Sequence, residues 1–277
     1  MTASATRPLP VLGAALTLDM LALHRDWMLA APRDLEIQSF ASVRVLSGDM
    51  EPMIARARGL IDGLAGRIGL HGPFLGLAID TYDPDVAAVV RARMLACLSV
   101  CERLGADQMV IHSPVTIWDH ANHQIEPGEE PIQIERVRWV IEPVIRRAEE
   151  TGVTLVIENV EDVDPTARCR LADALNSAAV AVSLDTGHAD YCHRLAGAPP
   201  PDVFVQAAGR RLQPGPPPGT GRLAGRHRHP RAGRGDRAAL FPRPRGLRTM
   251  PRLILEVNDS RGIRRGAEHL AALGLAV

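Results

Sequence analysis

Short apolar runs recur along the chain, each closing on a polar side chain: "VLGAALTL" from Val11, "LEIQSF" from Leu35, "IGLHGPF" from Ile68, "QMVIHSP" from Gln108, "VTLVIENV" from Val153, "AVAVSLDTGH" from Ala179 and "RLILEVND" from Arg252. Runs this short, nearly continuous and rich in Val, Ile and Leu are the pattern of strands covered on both faces of a parallel sheet. The stretches between them carry helical spacing instead. "DPDVAAVVRARMLACLSVCERLG" offers Asp83 as a cap, Pro84 in the first turn, a stripe through Val86, Val90, Met94, Cys101 and Leu104, and Gly105 as a stop. "IERVRWVIEPVIRRAEETG" repeats the plan up to Gly152, and Pro143 is expected to kink that helix or break it in two.

Repeated strand–helix units with no linker at the midpoint predict one domain over residues 1–277, an α/β fold of the (β/α)8 TIM-barrel type. A doubly wound open sheet is the alternative, but the first strand–helix turn lacks GxGxxG, which weakens a dinucleotide-binding fold. Seven strands are visible where a barrel needs eight, and the gap falls between Asp185 and Glu256. That interval contains "LQPGPPPGT", Leu212 to Thr220, and an Arg/Pro/Gly-rich continuation. Pro216, Pro217 and Pro218 remove ladder donors, so residues 210–225 are expected to form no ordinary central strand. Strand seven and its loop, about 210–250, therefore read as disrupted.

Composition sharpens the anomaly. Across 277 residues the formal net charge is zero, 46% of residues are hydrophobic and 3% aromatic, a soluble globular profile with no global sign of nucleic-acid or membrane affinity. The balance is uneven: from Arg210 to Met250 there are 11 Arg and a single acid, Asp236, so this stretch carries +10 and the remainder −10. All 32 basic residues are Arg, a sign of a GC-rich gene. The four cysteines form no CxxC pair, and Cys97 and Cys101 sit four apart in a helical pattern, as buried thiols do in a reducing compartment. No apolar run reaches membrane length and no signal-peptide pattern is visible, so a cytoplasmic location is expected.

In a barrel the chemistry sits at the C-terminal ends of strands. His71, His112, Glu158, Asp185 with His188, and Glu256 all stand at such ends. Any one of them has an ordinary structural reading, such as a carboxylate capping a helix or pairing with Arg. Six on one face are harder to explain without a cation, because buried carboxylates and imidazoles repel one another or lose hydration. Mixed N/O donors suit Zn, Mn or a similar divalent ion. Trp118, His120 and His123 fall in a loop after the fourth strand, where active-site walls form and where a solvated loop is as ordinary. Glu36 and Gln38 on the second strand would line the mouth, while His24, His193 and His269 read as surface or helix residues.

The motifs "LHGPF", "VIHSP", "VIENVED", "SLDTGHADY" and "LILEVND", in this order and spacing, resemble the xylose isomerase-like TIM-barrel superfamily, which holds sugar isomerases, epimerases and the endonuclease IV branch. The likeness runs from about residue 68 to 260 and is specific for the superfamily, not for a substrate. It implies that Glu158, Asp185 and Glu256 ligate a shared divalent metal (Mn, Mg, Co or Zn), that Glu158 and Glu256 also move a proton as catalytic groups, and that His188 holds a substrate oxygen. His71 and His112 match further ligands of the endonuclease IV branch, and His188 matches its third-metal ligand. That branch continues with Asp-Arg-His; here the text reads Gly225-Arg226-His227, which keeps His227 as a candidate ligand and loses the Asp. The superfamily's seventh-strand His, in a pattern resembling His-Leu-x-Asp, is missing, and a gap-free placement puts Pro216 there. Codons able to spell Pro214 to Pro218 read, one nucleotide later, as Gln-Val-His-Leu-Gln, so part of residues 213–250 reads as an out-of-frame stretch.

Three functions stand open at this point. The leading one is a metal-dependent sugar or sugar-phosphate isomerase/epimerase acting on a small carbohydrate, with His188, Trp118 and Glu36 as substrate contacts. Its rival is an endonuclease IV-like multi-metal phosphodiesterase completed by His71, His112, His188 and His227, and the third is an impaired barrel that only binds. Neutral charge and the absence of Lys argue against a nucleic-acid partner, nothing calls for a membrane, and a homo-oligomer is compatible with the chain. Metal content separates the three: two or three tightly held Zn for the phosphodiesterase, one exchangeable Mn, Mg or Co for the isomerase, none for the impaired barrel. For the chain as written, an unpaired strand seven, low cation affinity and a mobile 210–250 region are expected.

Overall fold

The apolar runs become strands because each is covered twice, by the barrel interior and by the helices outside it. The computed structural model describes residues 9–126, 128–162, 164–196, 222–226, 252–257 and 261–277. Its strands are β1 (Leu12–Leu16), β2 (Asp34–Ile37), β3 (Ile68–His71), β4 (Gln108–His112), β5 (Thr154–Glu158), β6 (Val180–Asp185), β7 (Arg222–Arg226) and β8 (Arg252–Glu256). They pair in parallel in chain order, and β8 returns to β1 to close the barrel. Every residue of β1, β2 and β8 is buried, so β1 and β8 lack polar alternation, and the alternating Asp34 and Glu36 of β2 are buried as well. This is the predicted TIM barrel.

Around it lie α1 (Leu18–Leu29), α2 (Val43–Leu46), α3 (Glu51–Ile61), α4 (Pro84–Leu104), α5 (Ile117–Ile125), α6 (Glu129–Thr151), α7 (Pro165–Leu175), α8 (Thr186–Ala196) and α9 (Arg261–Ala272). The Asp83 carboxylate accepts from the backbone N–H groups of Asp85 and Val86 at 2.8 and 3.2 Å, and Gly105 ends α4 at φ 67°, as the sequence predicts. The buried stripe of α4 is Ala87, Val90, Met94, Cys97, Leu98, Val100, Cys101 and Leu104. Val86 is exposed, one position out of phase with that stripe. Cys97 and Cys101 are buried free thiols, and the hydrogen bond between them, then burial, pushes the Cys101 thiol well above the ordinary range.

Three expectations need correction. Of the two outcomes expected at Pro143, the break does not occur: α6 is one unbroken helix, Val137, Val140, Ile141, Val144, Ile145 and Ala148 are all buried on one face, and that burial outweighs the roughly 3 kcal/mol of an interior proline. Trp118 and His120 lie in α5 rather than a loop, because Thr116 and Asp119 form a capping box at its start; His123 falls in the same helix. His24 is a helix residue, as expected, and shares the buried face of α1 with Leu21 and Met28. His269, by contrast, is exposed in the last turn of α9.

The third correction concerns strand seven. Arg222–Arg226 pairs with β6 through Ser183↔Arg222, Leu184↔Leu223 and Asp185↔Ala224, and with β8 through five further positions ending at Arg226↔Glu256. The proline cluster stops at Pro218, and a stretch free of proline can offer every N–H to its ladders. The expectation that nothing up to residue 225 forms a central strand is therefore wrong for 222–225. Pro216, residues 213–218 and the rest of 210–250, including the expected mobility, lie outside the described residues, as does His227.

At the opposite end of the barrel the buried Arg252 side chain reaches from β8 to the Asp107 carboxylate ahead of β4. Gly69 makes room for it: a Cβ there would stand 3.2 Å from the guanidinium. This end is filled by a paired charge, which leaves the C-terminal strand ends as the open face. Among the described residues no helix is long and apolar enough to cross a membrane.

Candidate metal centre

Neighbouring strands place the first group. His112 and Glu158 are register partners at the ends of β4 and β5, so their side chains leave the sheet on the same face. His71 closes β3 beside them. Its Nδ1 lies 2.8 Å from the Gly72 carbonyl oxygen, which can only accept, so Nδ1 carries the proton and Nε2 presents a lone pair. The Nε2 atoms of His71 and His112 are 3.3 Å apart and stand 3.7 and 3.6 Å from Glu158 Oε2. Donors held at about 2.0–2.1 Å by a tetrahedral zinc stand roughly 3.4 Å from one another, so this triangle has the dimensions of a cation's ligand set. Phe74 stacks on His112 with ring centroids 4.2 Å apart and also lies against His71, at 5.0 Å, which fixes both rings.

A second group shares Glu158. The candidate ligand atoms of Glu158, Asp185 and His188 all lie within 4.8 Å of one another. Asp185 ends β6, and its Oδ1 accepts from the His188 backbone N–H at 2.8 Å, so it also caps the first turn of α8. His188 Nδ1 is 2.8 Å from the Asn159 carbonyl oxygen, which assigns the proton to Nδ1 and leaves Nε2 as the acceptor. Burial above all, then the charges of Glu158 and Glu256, raise the Asp185 carboxyl to about 6, against the pull of His188. Glu158, Asp185 and Glu256 are each at most 6% exposed. Three buried carboxylates, two of which act by their charge on the third, Asp185, beside two imidazoles with defined Nε2 lone pairs, are a donor set that a divalent cation fits.

Glu256 comes from β8, and Gln38, just past β2, donates from Nε2 to its Oε1 at 2.9 Å. Glu36 is buried within β2 rather than open at the mouth, and Trp118 is 75% exposed on α5. Of the residues named from sequence, His71, His112, Glu158, Asp185 and His188 form the two groups, and Glu256, a member of neither, acts on Asp185 through its charge. Phe74 and Asn159 escaped the sequence reading; each sits within a motif already visible, "LHGPF" and "VIENVED". Nothing local marks them as parts of the centre, because their roles lie in contacts with other strands.

A closed parallel barrel whose strand ends gather imidazoles and carboxylates into groups that could hold a cation is a TIM barrel with a candidate metal site. Residues 39–273 match the family model described as xylose isomerase-like TIM barrel, and the chain belongs to that family. No curated protein sequence matches it. Among solved structures it is similar to the TTHB071 protein from Thermus thermophilus, soaked with ZnCl2, at 22% identity and TM-score 0.66, with 94% of this chain and 98% of that one covered. It is similar to 3-keto-D-glucoside 4-epimerase YcjR from E. coli at 13% identity and TM-score 0.65, covering 94% and 98%. A D-psicose 3-epimerase, in the presence of D-fructose, follows at 17% identity and TM-score 0.59, covering 91% and 89%. At these identities the likeness establishes the fold.

Proposed function

We propose that the protein is a divalent-cation-dependent enzyme that moves a proton beside the carbonyl of a small carbohydrate, an isomerase or epimerase. The observation that carries this reading is the convergence of Glu158, Asp185 and Glu256 from three strands, with the Asp185 carboxyl raised to about 6 by burial and by the other two charges. When bound, Mn, Mg, Co or Zn at these carboxylates would polarise a substrate carbonyl and make the neighbouring C–H more acidic. Glu158 and Glu256 stand on strands separated by β6 and β7, which suits one to remove a proton and the other to return it. Gln38 holds one oxygen of Glu256 and so orients the other. The fixed Nε2 lone pair of His188 suits it to accept a substrate hydroxyl, and the exposed Trp118 ring offers a stacking surface on the rim. Epimerases among the structural neighbours support the substrate class.

One observation favours a second reading, a multi-metal phosphodiesterase: the His71–His112–Glu158 triangle supplies a second cation-sized group, joined to the first through Glu158. His227, a further ligand that this reading expects from the sequence, lies outside the described residues. The two readings part in one experiment on the metal-loaded protein. Incubation with a panel of ketoses in D2O, followed by NMR, is expected to show exchange of the proton next to the carbonyl, and Glu158→Gln is expected to abolish it. Hydrolysis of a small phosphodiester with no sugar exchange would displace the isomerase reading in favour of its rival.

A further inference from the structure

The backbone ladder between β5 and β6 runs Leu155↔Val180, Val156↔Ala181 and Ile157↔Val182 and then ends. Glu158 and Asp185, both assigned to the centre, lie beyond its last pair. Asn159 takes over where the ladder stops. Its buried side-chain Nδ2 donates to the Asp185 carbonyl at 2.8 Å, and its Oδ1 accepts from the Asp185 backbone N–H at 2.7 Å. The amide thus exchanges two bonds with one backbone residue, as paired antiparallel residues do. The Asn159 main-chain oxygen accepts from His188 Nδ1 at 2.8 Å.

We propose that Asn159 is a positioning residue of the centre: one residue clasps Asp185 at its backbone and, through its main-chain oxygen, sets His188 in the tautomer that leaves the lone pair on Nε2. This inference rests on the cation reading above. A side-chain amide is the group that can both donate and accept here. Asp keeps the acceptor but sets a carboxylate against the Asp185 carbonyl, while Leu keeps the volume and loses both bonds. The rest of the loop has its own supports. Asp162 accepts from the Val160 N–H at 3.2 Å and pairs with the buried Arg168, and the Cys192 thiol donates to the Val160 oxygen at 3.1 Å. Changing the Asn159 side chain therefore acts on Asp185 before it acts on the loop, and on His188 only through the main-chain oxygen that the clasp holds in place.

The test is a Co2+ titration of the full chain, read by visible absorption, for the unaltered protein, Asn159→Asp, Asn159→Leu and Cys192→Ala, with thermal unfolding in chelator as the measure of folding. Both Asn159 substitutions are expected to lower Co2+ affinity by about 10–100-fold and to alter the ligand-field bands, as loss of an orienting partner does. Cys192→Ala, which loosens the same loop from its other side, is expected to lower the Tm in chelator and leave affinity and spectrum unchanged. Equal affinity and an equal spectrum in either folded Asn159 variant would overturn the clasp alone, as would a loss in Cys192→Ala matching that in the Asn159 variants. Failure of the unaltered chain to bind Co2+ overturns the centre, and the clasp with it.

Discussion

At Asp185 burial and neighbouring charge work against ionisation, which turns the site into a pH-dependent load on the fold. Its carboxyl titrates near 6 in the folded chain, whereas a free Asp ionises near 3.9. Between those values the folded state holds a proton that the unfolded state has released, so stability falls as pH rises through the window. Thermal unfolding in chelator is expected to show a Tm that declines from about pH 4 to about pH 6 and levels off above it. Asp185→Asn should flatten that decline; an unchanged slope would mean that the load sits elsewhere. Glu158 belongs to both ligand groups and His112 to one. Metal analysis after dialysis should therefore find that Glu158→Gln empties the protein more completely than His112→Ala, and the reverse order would count against a shared Glu158. These residues were legible because each closes an apolar run. Asn159 and Phe74 were not: the Asn159 amide meets Asp185 across 26 positions of sequence, and Phe74 meets the His112 ring across a strand boundary.

Element by element, the ends of helices were easier to read than their faces. A cap acts within its own turn, so Asp83 and Gly105 announced α4 correctly, whereas the buried stripe depends on the angle at which the helix meets the sheet, and Val86 fell outside it. Gly105 provides a clean test, since a Cβ placed there meets nothing within 4 Å and its φ is 67°. Gly105→Ala should cost about 1–2 kcal/mol from the left-handed backbone alone, measured by denaturant unfolding with an unchanged m-value. A neutral substitution would show that the helix end relaxes. Pro143 teaches the converse. Local chemistry argued for a break, and a continuous buried face from Val137 to Ala148 kept α6 whole.

For the whole molecule, closure is the decisive property. Arg222–Arg226 joins β6 to β8, so the barrel has no open edge at this point although its neighbourhood reads as a foreign composition. The suggestion that part of residues 213–250 is an out-of-frame text stays a proposal about the gene. Resequencing is expected to reveal, in the adjacent frame, codons for a His-Leu pattern near Pro216. Unambiguous proline codons with no such pattern in either neighbouring frame would end it.

From the sequence alone came the strand–helix alternation, the barrel, the polar residues at the strand ends and the helix caps, because periodicity and capping are local and each run carries its own signal. Tertiary structure decided which segment closes the ring, that His71 and His112 share one carboxylate, and that Asn159 fastens Asp185. Those are relations between strands, and register and side-chain distance exist only once the sheet has formed.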